Sequence, residues 1–334
     1  MTRRVALSVV LSLAGAGLLA WQIQIAGPRA VARGLATIGP GFAIILVLSL
    51  LRFASRAAAW RTLLDEPLRF RRVLAAAMAG DALGNVTPFG LLASEPAKAL
   101  YLGRDVDTTR ALAALTVENF FYGILTALYI IVGAVAMLAV FELPDSLRAL
   151  GLMSLAAMTV VLGVAGWLAW AKPTLASAIV GLLPFRRAQA LARRLAEFER
   201  YAYGSATRDP AQLATVVLAE TVFHVLSFLE CWATVWILTG SSWLGAALVF
   251  DSVNRVINVA FKMVPMRAGV DEYGSVIVAG ALGIPPDLGL ALALSRKARM
   301  LTWAGTAYVL FVRRGLGAGR DQVGSEKPEV KSSE

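Results

Sequence analysis

Ionisable side chains occur inside strongly apolar stretches of this 334-residue chain. Such side chains are expensive within a membrane, so they usually face a cavity or pair with one another, and they often carry function. Arg52 and Arg56 are four positions apart and share one face of an apolar helix. Structural ion pairing is the alternative to a binding role for each residue of this kind. The others are Asp81, Glu95, Lys98, Glu118, Glu220, Glu230, Arg255, Lys262, Arg267, Glu272, Arg296, Lys297 and Arg299.

Two stretches interrupt the apolar pattern in a similar way. NVTPFGLLASEPAK, residues 85–98, contains two prolines and a glycine, and PMRAGVDEYG begins later, at Pro265. In both, a proline precedes a glutamate by seven positions, Pro88 before Glu95 and Pro265 before Glu272. Both then continue into the pattern L-G-x-x-x-D and an apolar helix. The shared order predicts an internal repeat, and the loop charges predict that its halves are inverted, as in many transporters.

Each break is expected to present the N-terminus of a helix. Ser94 is a natural N-cap before Glu95 and Pro96, and Asp271 is expected to cap in the same way before Glu272. The unpaired N–H groups of a helix start form a site for an anion such as a lipid phosphate. The adjacent glutamates oppose direct anion binding unless a cation accompanies the anion, and nearby lysines and arginines can supply that cation.

These residues define a predicted substrate-binding set. His224, the only histidine, follows Glu220 by four positions, so the two are a candidate proton-coupling pair, with a purely structural pair as the alternative. We expect no catalytic residue, no metal site and no cofactor. The predicted binding set is Asn85, Pro88, Ser94, Glu95, Lys98, Glu118, Asn119, Arg255, Pro265, Arg267, Glu272 and Arg296.

The composition indicates a polytopic helical membrane protein. Hydrophobic residues make up 58% of the chain and charged residues 16%, which excludes an ordinary soluble domain. The net charge of +10 comes from arginines placed between the apolar runs, as the positive-inside rule requires, so nucleic-acid binding is not expected. The single cysteine, Cys231, lies in an apolar run and has no partner for an internal disulfide.

The apolar runs predict one all-α transmembrane domain, 1–312, and a disordered cytoplasmic tail, 313–334. Two broken stretches, about 74–102 and 243–282, are predicted to be re-entrant hairpins, because a full crossing by either would place an arginine-rich loop outside. Both termini are then cytoplasmic, and an uncleaved first span favours the cytoplasmic (inner) membrane. The six predicted spans are at about 5–25, 42–60, 112–141, 150–170, 213–238 and 288–312.

A basic linker at 172–212 is predicted to contain an amphipathic helix on the cytoplasmic leaflet. Leu191, Leu195, Phe198 and Ala202 recur there at helical spacing beside arginines. A plain solvated helix is the alternative.

Three stretches resemble the transmembrane flippase domain of lysylphosphatidylglycerol synthases, which also occurs as stand-alone chains of about this length. They are GNVTPFGLLASEPAKALYL, TVENFFYG and KMVPMRAGVDEYG with the later ALG, and the resemblance covers roughly residues 5–312. It implies movement of a lipid or lipid-linked molecule between leaflets. The family's motif positions fall on Pro88, Glu95, Lys98, Glu118, Pro265, Gly269 and Glu272.

The chain departs from the family pattern in both halves. EPAK stands where a glycine-glutamate followed by arginine is more common, and MRAGVDEYG stands where a proline-glycine-glycine run is common, so the resemblance does not define the headgroup. LLASEPAK resembles members associated with hopanoid biosynthesis, which implies lipid-biosynthesis partners. No soluble region is large enough for the synthase's aminoacyl-transferase domain, so we expect no enzyme activity.

The leading hypothesis is a lipid flippase or lipid-transport protein, with membrane lipids as partners and a phosphate-bearing headgroup held at the hairpin tips. A secondary transporter of a small solute fits an inverted repeat equally well. A membrane enzyme acting on a lipid-linked substrate fits less well, because the first outer loop, AGPRAVARGLATIGP, has no carboxylate and a histidine-type phosphatase needs more than one histidine.

Overall fold

Helices account for all secondary structure in the described residues of the computed structural model. These residues are 29, 32, 36–64, 66–86, 90–103, 106–172, 174–182, 184–205, 209–261, 267 and 269–325. The predicted all-α architecture is confirmed within them. The first predicted span, at about 5–25, and the residues Pro88 and Pro265 lie outside them.

Eleven α-helices are present among the described residues, after a short 3-10 turn at Gly39–Gly41. They are α1 (Phe42–Leu63), α2 (Phe70–Val86), α3 (Gly90–Leu102), α4 (Thr108–Val140), α5 (Asp145–Ala171), α6 (Leu175–Gly181), α7 (Arg186–Ser205), α8 (Pro210–Thr239), α9 (Leu244–Ala260), α10 (Val270–Ala281) and α11 (Pro286–Ser325).

Four helical segments of the described chain are long and apolar enough to cross a membrane, so the protein is an integral membrane protein. Helix α11 is long, but it carries Arg296, Lys297 and Arg299 and is not one of the four. The predicted number of six spans therefore stays a prediction. The four segments are Ala36–Leu63, Thr108–Val140, Asp145–Ala171 and Pro210–Thr239.

The last helix extends further than the hydropathy pattern predicts. Helix α11 continues to Ser325, past the expected end of the final span at about 312, and the predicted boundary of the tail stays a prediction. Residues 326–334 of the predicted tail lie outside the described residues.

Local sequence signals fix several helix ends. Asp107 caps α4, where its Oδ1 accepts hydrogen bonds from the backbone N–H groups of Thr109 and Arg110 at 3.0 and 3.2 Å. Asp209 caps α8 in the same way, just before Pro210 at the first helical position. Gly240 ends α8 with φ +68°, a left-handed conformation that glycine adopts easily.

Two apolar clusters mark opposite ends of the helix bundle. The first cluster contains Leu63 of α1, Val73 of α2, Leu102 of α3 and Ala111 of α4. Helix α4 then runs from this cluster to the second one, where Met137 packs with residues of α8, α9, α10 and α11. The start of α2 and the end of α3 both lie at the first cluster, whereas the start of α9 and the end of α10 both lie at the second. In each broken stretch the first helix therefore starts, and the second helix ends, at the same cluster.

The packing of the helices repeats between the two halves of the chain. Helices α1 to α4 correspond in order to α8 to α11, and α1 packs directly against α8. Helix α4 packs against α9 of the other half, and the corresponding helix α11 packs against α2. The contacts α1–α2 and α3–α4 likewise have counterparts in α8–α9 and α10–α11. This exchange of partners is what a pseudo-twofold arrangement of two repeats produces.

Small residues allow the closest of these approaches. An added Cβ at Gly133 of α4 would lie 1.7 Å from Oγ and 2.2 Å from Cβ of Ser252 in α9. An added Cβ at Gly289 of α11 would lie 2.4 Å from the carbonyl oxygen of Ser275 in α10. Membrane helices associate through such close contacts because apolar side chains gain little by leaving lipid.

The predicted amphipathic helix is present as α7, preceded by the short helix α6. Its C-terminal part packs on the bundle, since Ala202 belongs to the first cluster and Phe198 packs against it, whereas Leu191 is exposed. Glu199 of α7 accepts a hydrogen bond from the hydroxyl of Ser177 in α6. The location of this unit on the cytoplasmic leaflet stays a prediction.

The contact at Gly133 provides a test of the packing between α4 and α9. Gly133→Ala should destabilise the protein by about 1–3 kcal/mol, because Ser252 cannot move away without its backbone. Gly123→Ala is the matched control in the same helix, where an added Cβ meets no atom within 4 Å and should be neutral or stabilising by up to about 1 kcal/mol. Unfolding in mixed micelles measures both, and equal stability of the two variants would contradict the close approach.

Candidate functional site

A charged cavity of about 390 Å³ lies between the two halves. Side chains from α1, α2, α3, α4, α8, α9 and α11 line it, together with Arg267 before α10. Glu118 and Glu220 lie in the bundle beside the cavity, each ten residues after the first residue of its helix. Ten residues correspond to about 15 Å of helix, which is about half the thickness of a bilayer's hydrocarbon core. The charged lining consists of Arg52, Arg56, Arg255, Arg267, Arg296 and Arg299, with Asp81, Glu95, Glu230 and Asp251.

Arg56 of α1 forms the most extensive pair. Its Nε and Nη2 donate to the two carboxylate oxygens of Glu118 in α4 at 2.7 and 2.8 Å, and Nη2 also donates to Asn119 at 3.1 Å. The ring of Tyr122 lies 4.4 Å from the guanidinium carbon. Glu220 of α8 is fully buried, 4.0 Å from Arg56 Nε, and neither of its carboxylate oxygens has a hydrogen-bond partner. The guanidinium group of Arg56 therefore lies within 4.0 Å of two buried carboxylates.

Lys98 joins the two helices of the first hairpin. Its ammonium group is 2.6 Å from Asp81 of α2 and 3.1 Å from Glu95 of α3. The second oxygen of Glu95 has no partner, and Glu95 lines the cavity. Lys98 itself is buried behind Asp81 and Glu95 and is not a lining residue.

The predicted N-cap role of Ser94 is wrong. Helix α3 already begins at Gly90, because the segment GLLA continues the helix toward the break, so Ser94 and Pro96 both lie inside it. The Ser94 hydroxyl donates instead to Asp81 at 3.4 Å. Pro96 has no backbone N–H, so the carbonyl group four residues earlier lacks its usual helical hydrogen bond.

The predicted N-cap role of Asp271 is also wrong. Gly269, with φ +84°, is the residue before α10, and such a conformation is easily reached only by glycine. Glu272 accepts a hydrogen bond from the Gly269 N–H at 2.9 Å and also pairs with Lys297 of α11. Asp271 accepts from Arg267 at 3.1 Å. Side chains of the chain itself therefore occupy this helix start.

Glu230 of α8 lies between two arginines. Its carboxylate oxygens are 2.7 Å from Arg52 of α1 and 2.7 Å from Arg299 of α11. In the neighbouring part of the cavity, Arg255 is 3.2 Å from Asp251 one turn earlier in α9, and the ring of Tyr129 lies 4.4 Å from its guanidinium carbon.

His224 contacts Glu220 through the backbone and not through the carboxylate. Its Nδ1 is 2.7 Å from the Glu220 carbonyl oxygen, which can only accept, so Nδ1 carries a proton. Nε2 is 3.1 Å from the hydroxyl of Thr126. The proposed coupling role of these two residues stays a prediction.

The structure brings most of the predicted binding set to one cavity. Lys98, Glu118 and Glu272 are not in its lining but hold lining or neighbouring side chains by ion pairs, and Pro88 and Pro265 lie outside the described residues. The predicted residues that line the cavity are Asn85, Ser94, Glu95, Asn119, Arg255, Arg267 and Arg296.

The prediction omitted several lining residues from the binding set. Arg52, Arg56, Asp81, Glu230 and Arg299 stand out in the sequence as charges in apolar runs, but nothing in one sequence shows which helices meet. Asp251 is absent from the predicted residues. Its signal is the spacing of four positions to Arg255, which places an acid and an arginine on one face of an apolar helix.

No group of three or more histidine, cysteine, aspartate or glutamate side chains in the described part of the chain is arranged to hold a metal ion. The polar groups that line the cavity are guanidinium, carboxylate, amide, hydroxyl and thiol groups, which can form hydrogen bonds and charge pairs.

The pair between Arg56 and Glu118 should be essential for stability. Arg56→Gln leaves two buried carboxylates without a cation and should destabilise the protein by about 3–5 kcal/mol. Adding Glu118→Gln to that variant should restore part of the loss, because one unpaired charge is removed. Glu66→Gln is the control, since Glu66 forms an exposed pair with Arg110 at 3.9 Å that is worth about 1 kcal/mol or less. If Arg56→Gln unfolds no more easily than this control, the pair is not structural.

The chain matches a known protein family. The family model described as the lysylphosphatidylglycerol synthase TM region matches residues 5–307. A search of curated proteins and a search of solved structures find no match. Because the family model covers nearly the whole chain, the protein belongs to the lysylphosphatidylglycerol synthase transmembrane-region family.

Proposed function

We propose that this protein moves a phosphate-bearing amphipathic lipid between the two leaflets. The lipid headgroup would occupy the charged cavity, and the acyl tails would remain in the bilayer. The observation that carries this proposal is a cavity of about 390 Å³ with six arginines and four carboxylates inside a membrane domain. Its volume lies within the roughly 300–1,000 Å³ that is usual for small-molecule sites.

The outer surface of the bundle supports the same proposal. Large apolar side chains are exposed on the long helices, among them Val132 of α4, Val160 of α5 and Leu218 of α8. Such a surface suits hydrocarbon, whereas the cavity suits a polar headgroup, and an amphipathic lipid needs both environments along its path. Membership of a lipid-synthase membrane family agrees with a lipid substrate.

In the proposed topology both hairpins are re-entrant, and the end of the bundle that contains the first cluster faces the cytoplasm. Both ends of the α2–α3 hairpin lie at the first cluster, beside Arg61, Arg69, Arg71 and Arg72, and the positive-inside rule favours the cytoplasm for such a loop. Both ends of the α9–α10 hairpin lie at the second cluster, on the opposite side.

Cysteine labelling tests this topology. In a Cys231→Ala background, Glu66→Cys and Gly103→Cys flank the first hairpin, and Ser241→Cys and Asp287→Cys flank the second. In intact cells an impermeant maleimide should label the second pair and leave the first pair unlabelled until the membrane is opened. Labelling of the two members of one pair from opposite sides would show that the hairpin crosses the membrane.

Transport should be measured in liposomes that contain fluorescent phosphatidylglycerol, phosphatidylethanolamine or phosphatidylcholine. We expect at least one of them to cross faster than in protein-free vesicles. Glu95→Ala should slow this movement about tenfold, because the unpartnered oxygen of Glu95 is available to a hydrogen-bond donor of the headgroup. Glu66→Gln, outside the cavity, is the control and should transport normally.

The same assay separates the lipid hypothesis from a solute transporter. A phosphate-bearing solute trapped inside the vesicles reports movement of small molecules through the same cavity. Transport of the solute without any lipid movement would replace the flippase proposal by the solute-transporter alternative. If lipid moves equally fast with the Glu95→Ala variant and with the unmodified protein, the proposed role of the cavity in transport is wrong.

A further inference from the structure

Three arginines and one carboxylate lie close together in the wall of the cavity. Arg52 of α1 and Arg299 of α11 share Glu230 of α8, each at 2.7 Å. Arg296, one turn before Arg299 in α11, lines the same cavity. This group of Arg52, Glu230, Arg296 and Arg299 is called the arginine cluster below.

The positive charge of the arginine cluster is not matched by the described protein residues. Arg296 is buried, and its Nη2 donates to the sulfur of Cys231 and to the carbonyl oxygen of Phe250, both at 3.4 Å. Among the described residues no carboxylate lies within 4 Å of it; Asp251 and Asp271, the nearby acids, are engaged by Arg255 and Arg267. The arginine cluster thus contains three guanidinium groups and one carboxylate, and only Arg52 and Arg299 pair with that carboxylate.

Two further hydrogen-bond donors of the arginine cluster are unused. The Nε atoms of Arg52 and Arg299 are buried and have no hydrogen-bond partner. A buried, unpaired donor on a charged group is costly, and a buried unpaired charge is more costly still. Such an arrangement is expected where the missing partner is an anion that binds and leaves.

We propose that Arg52, Arg296 and Arg299 bind the phosphate group of a membrane phospholipid, and that Glu230 holds Arg52 and Arg299 in place when no lipid is bound. This inference rests on the proposed function, because it names the group that the cavity recognises. It also moves the predicted anion site from the hairpin helix starts to arginine side chains, since Glu272 already occupies the start of α10.

Phosphate fits this cluster better than a carboxylate does. A carboxylate is planar and is satisfied by the fork of one arginine, as Glu118 is by Arg56. A tetrahedral phosphate directs its oxygens to several sides, and three guanidinium groups from two helices can each donate to a different oxygen. Glu230 lowers the positive charge but does not cancel it.

The wall beside the arginine cluster indicates a lipid and not free phosphate. Phe53, Met300 and Trp303 line the cavity there, and the rings of Phe53 and Trp303 pack edge to face with centroids 5.7 Å apart. An apolar wall next to the charges suits the glycerol and the first acyl carbons of a phospholipid. Inorganic phosphate would gain nothing from it.

Equilibrium binding to the full-length, delipidated protein tests the proposal, with dioctanoyl-phosphatidylglycerol, dioctanoylglycerol and inorganic phosphate as probes. We expect saturable binding of the phospholipid only, weakened about tenfold or more by Arg296→Gln, because a charge-assisted hydrogen bond is lost. Arg296→Lys keeps the charge without the fork and should be intermediate. Arg61→Gln, exposed on α1 outside the cavity, is the control and should bind normally.

Stability of the lipid-free protein separates a binding role from a structural one. Arg296→Gln should leave the Tm unchanged or raise it, because an unmatched buried charge is removed, and the increase in Tm on adding phospholipid should shrink. Glu230→Gln should lower the Tm of the lipid-free protein, since two arginines lose their carboxylate. A lower Tm for lipid-free Arg296→Gln with an undiminished response to phospholipid would overturn the proposal.

The remaining outcomes distinguish this site from the proposed function. Unchanged phospholipid affinity in Arg296→Gln would overturn the phosphate site, and lipid movement in liposomes would still support transport. Phospholipid binding that depends on Arg296 without lipid movement would support the site and reject transport. Inorganic phosphate that binds as tightly as the phospholipid would overturn the assignment to a lipid, and equal binding of dioctanoylglycerol would overturn the assignment to phosphate.

Discussion

The guanidinium group of Arg56 lies deep in the bundle, and its charge is stable there because Glu118 accepts two of its hydrogen bonds. The rest of the interior follows the same constraint. In a hydrocarbon environment apolar helix faces pack about equally well against each other and against lipid tails, so apolar contacts alone select few partners. Charged pairs that join different helices do select partners. They connect α1 with α4, α1 and α11 with α8, α2 with α3, and α10 with α11.

The two halves of the chain share their packing but not their charges. In the first half, an arginine of α1 pairs with a glutamate of α4; in the second half, a glutamate of α8 pairs with an arginine of α11. The signs are therefore reversed between corresponding helices. The arginine cluster therefore combines residues of both halves, with Arg52 from α1 and Glu230, Arg296 and Arg299 from α8 and α11.

Much of the fold can be predicted from the sequence, but the assembly of the site cannot. Hydropathy alone predicts α1, α4, α5 and α8, and the spacing from proline to glutamate identifies both hairpins as related units. The helix starts were wrong because Gly90 and Gly269 allow the chain to enter a helix earlier than Ser94 and Asp271 suggest. Most lining charges stand out in the sequence as costly residues in apolar runs. Which of them meet depends on how helices of one half pack against helices of the other, and a single sequence holds no signal for that.

That exchange of partners limits how the protein can move. Helix α4 packs on α9 of the other half, and α11 packs on α2, with the α4–α9 contact tightened by Gly133. Each half therefore has a helix that packs against the other half, and the two halves cannot separate as rigid bodies without breaking both contacts. The principal neighbours of α3 and α10, in contrast, belong to their own halves: α2 and α4 for α3, and α9 and α11 for α10. The inner arms of the hairpins, which carry Glu95 and Glu272, are therefore the helices whose packing depends least on contact with the other half.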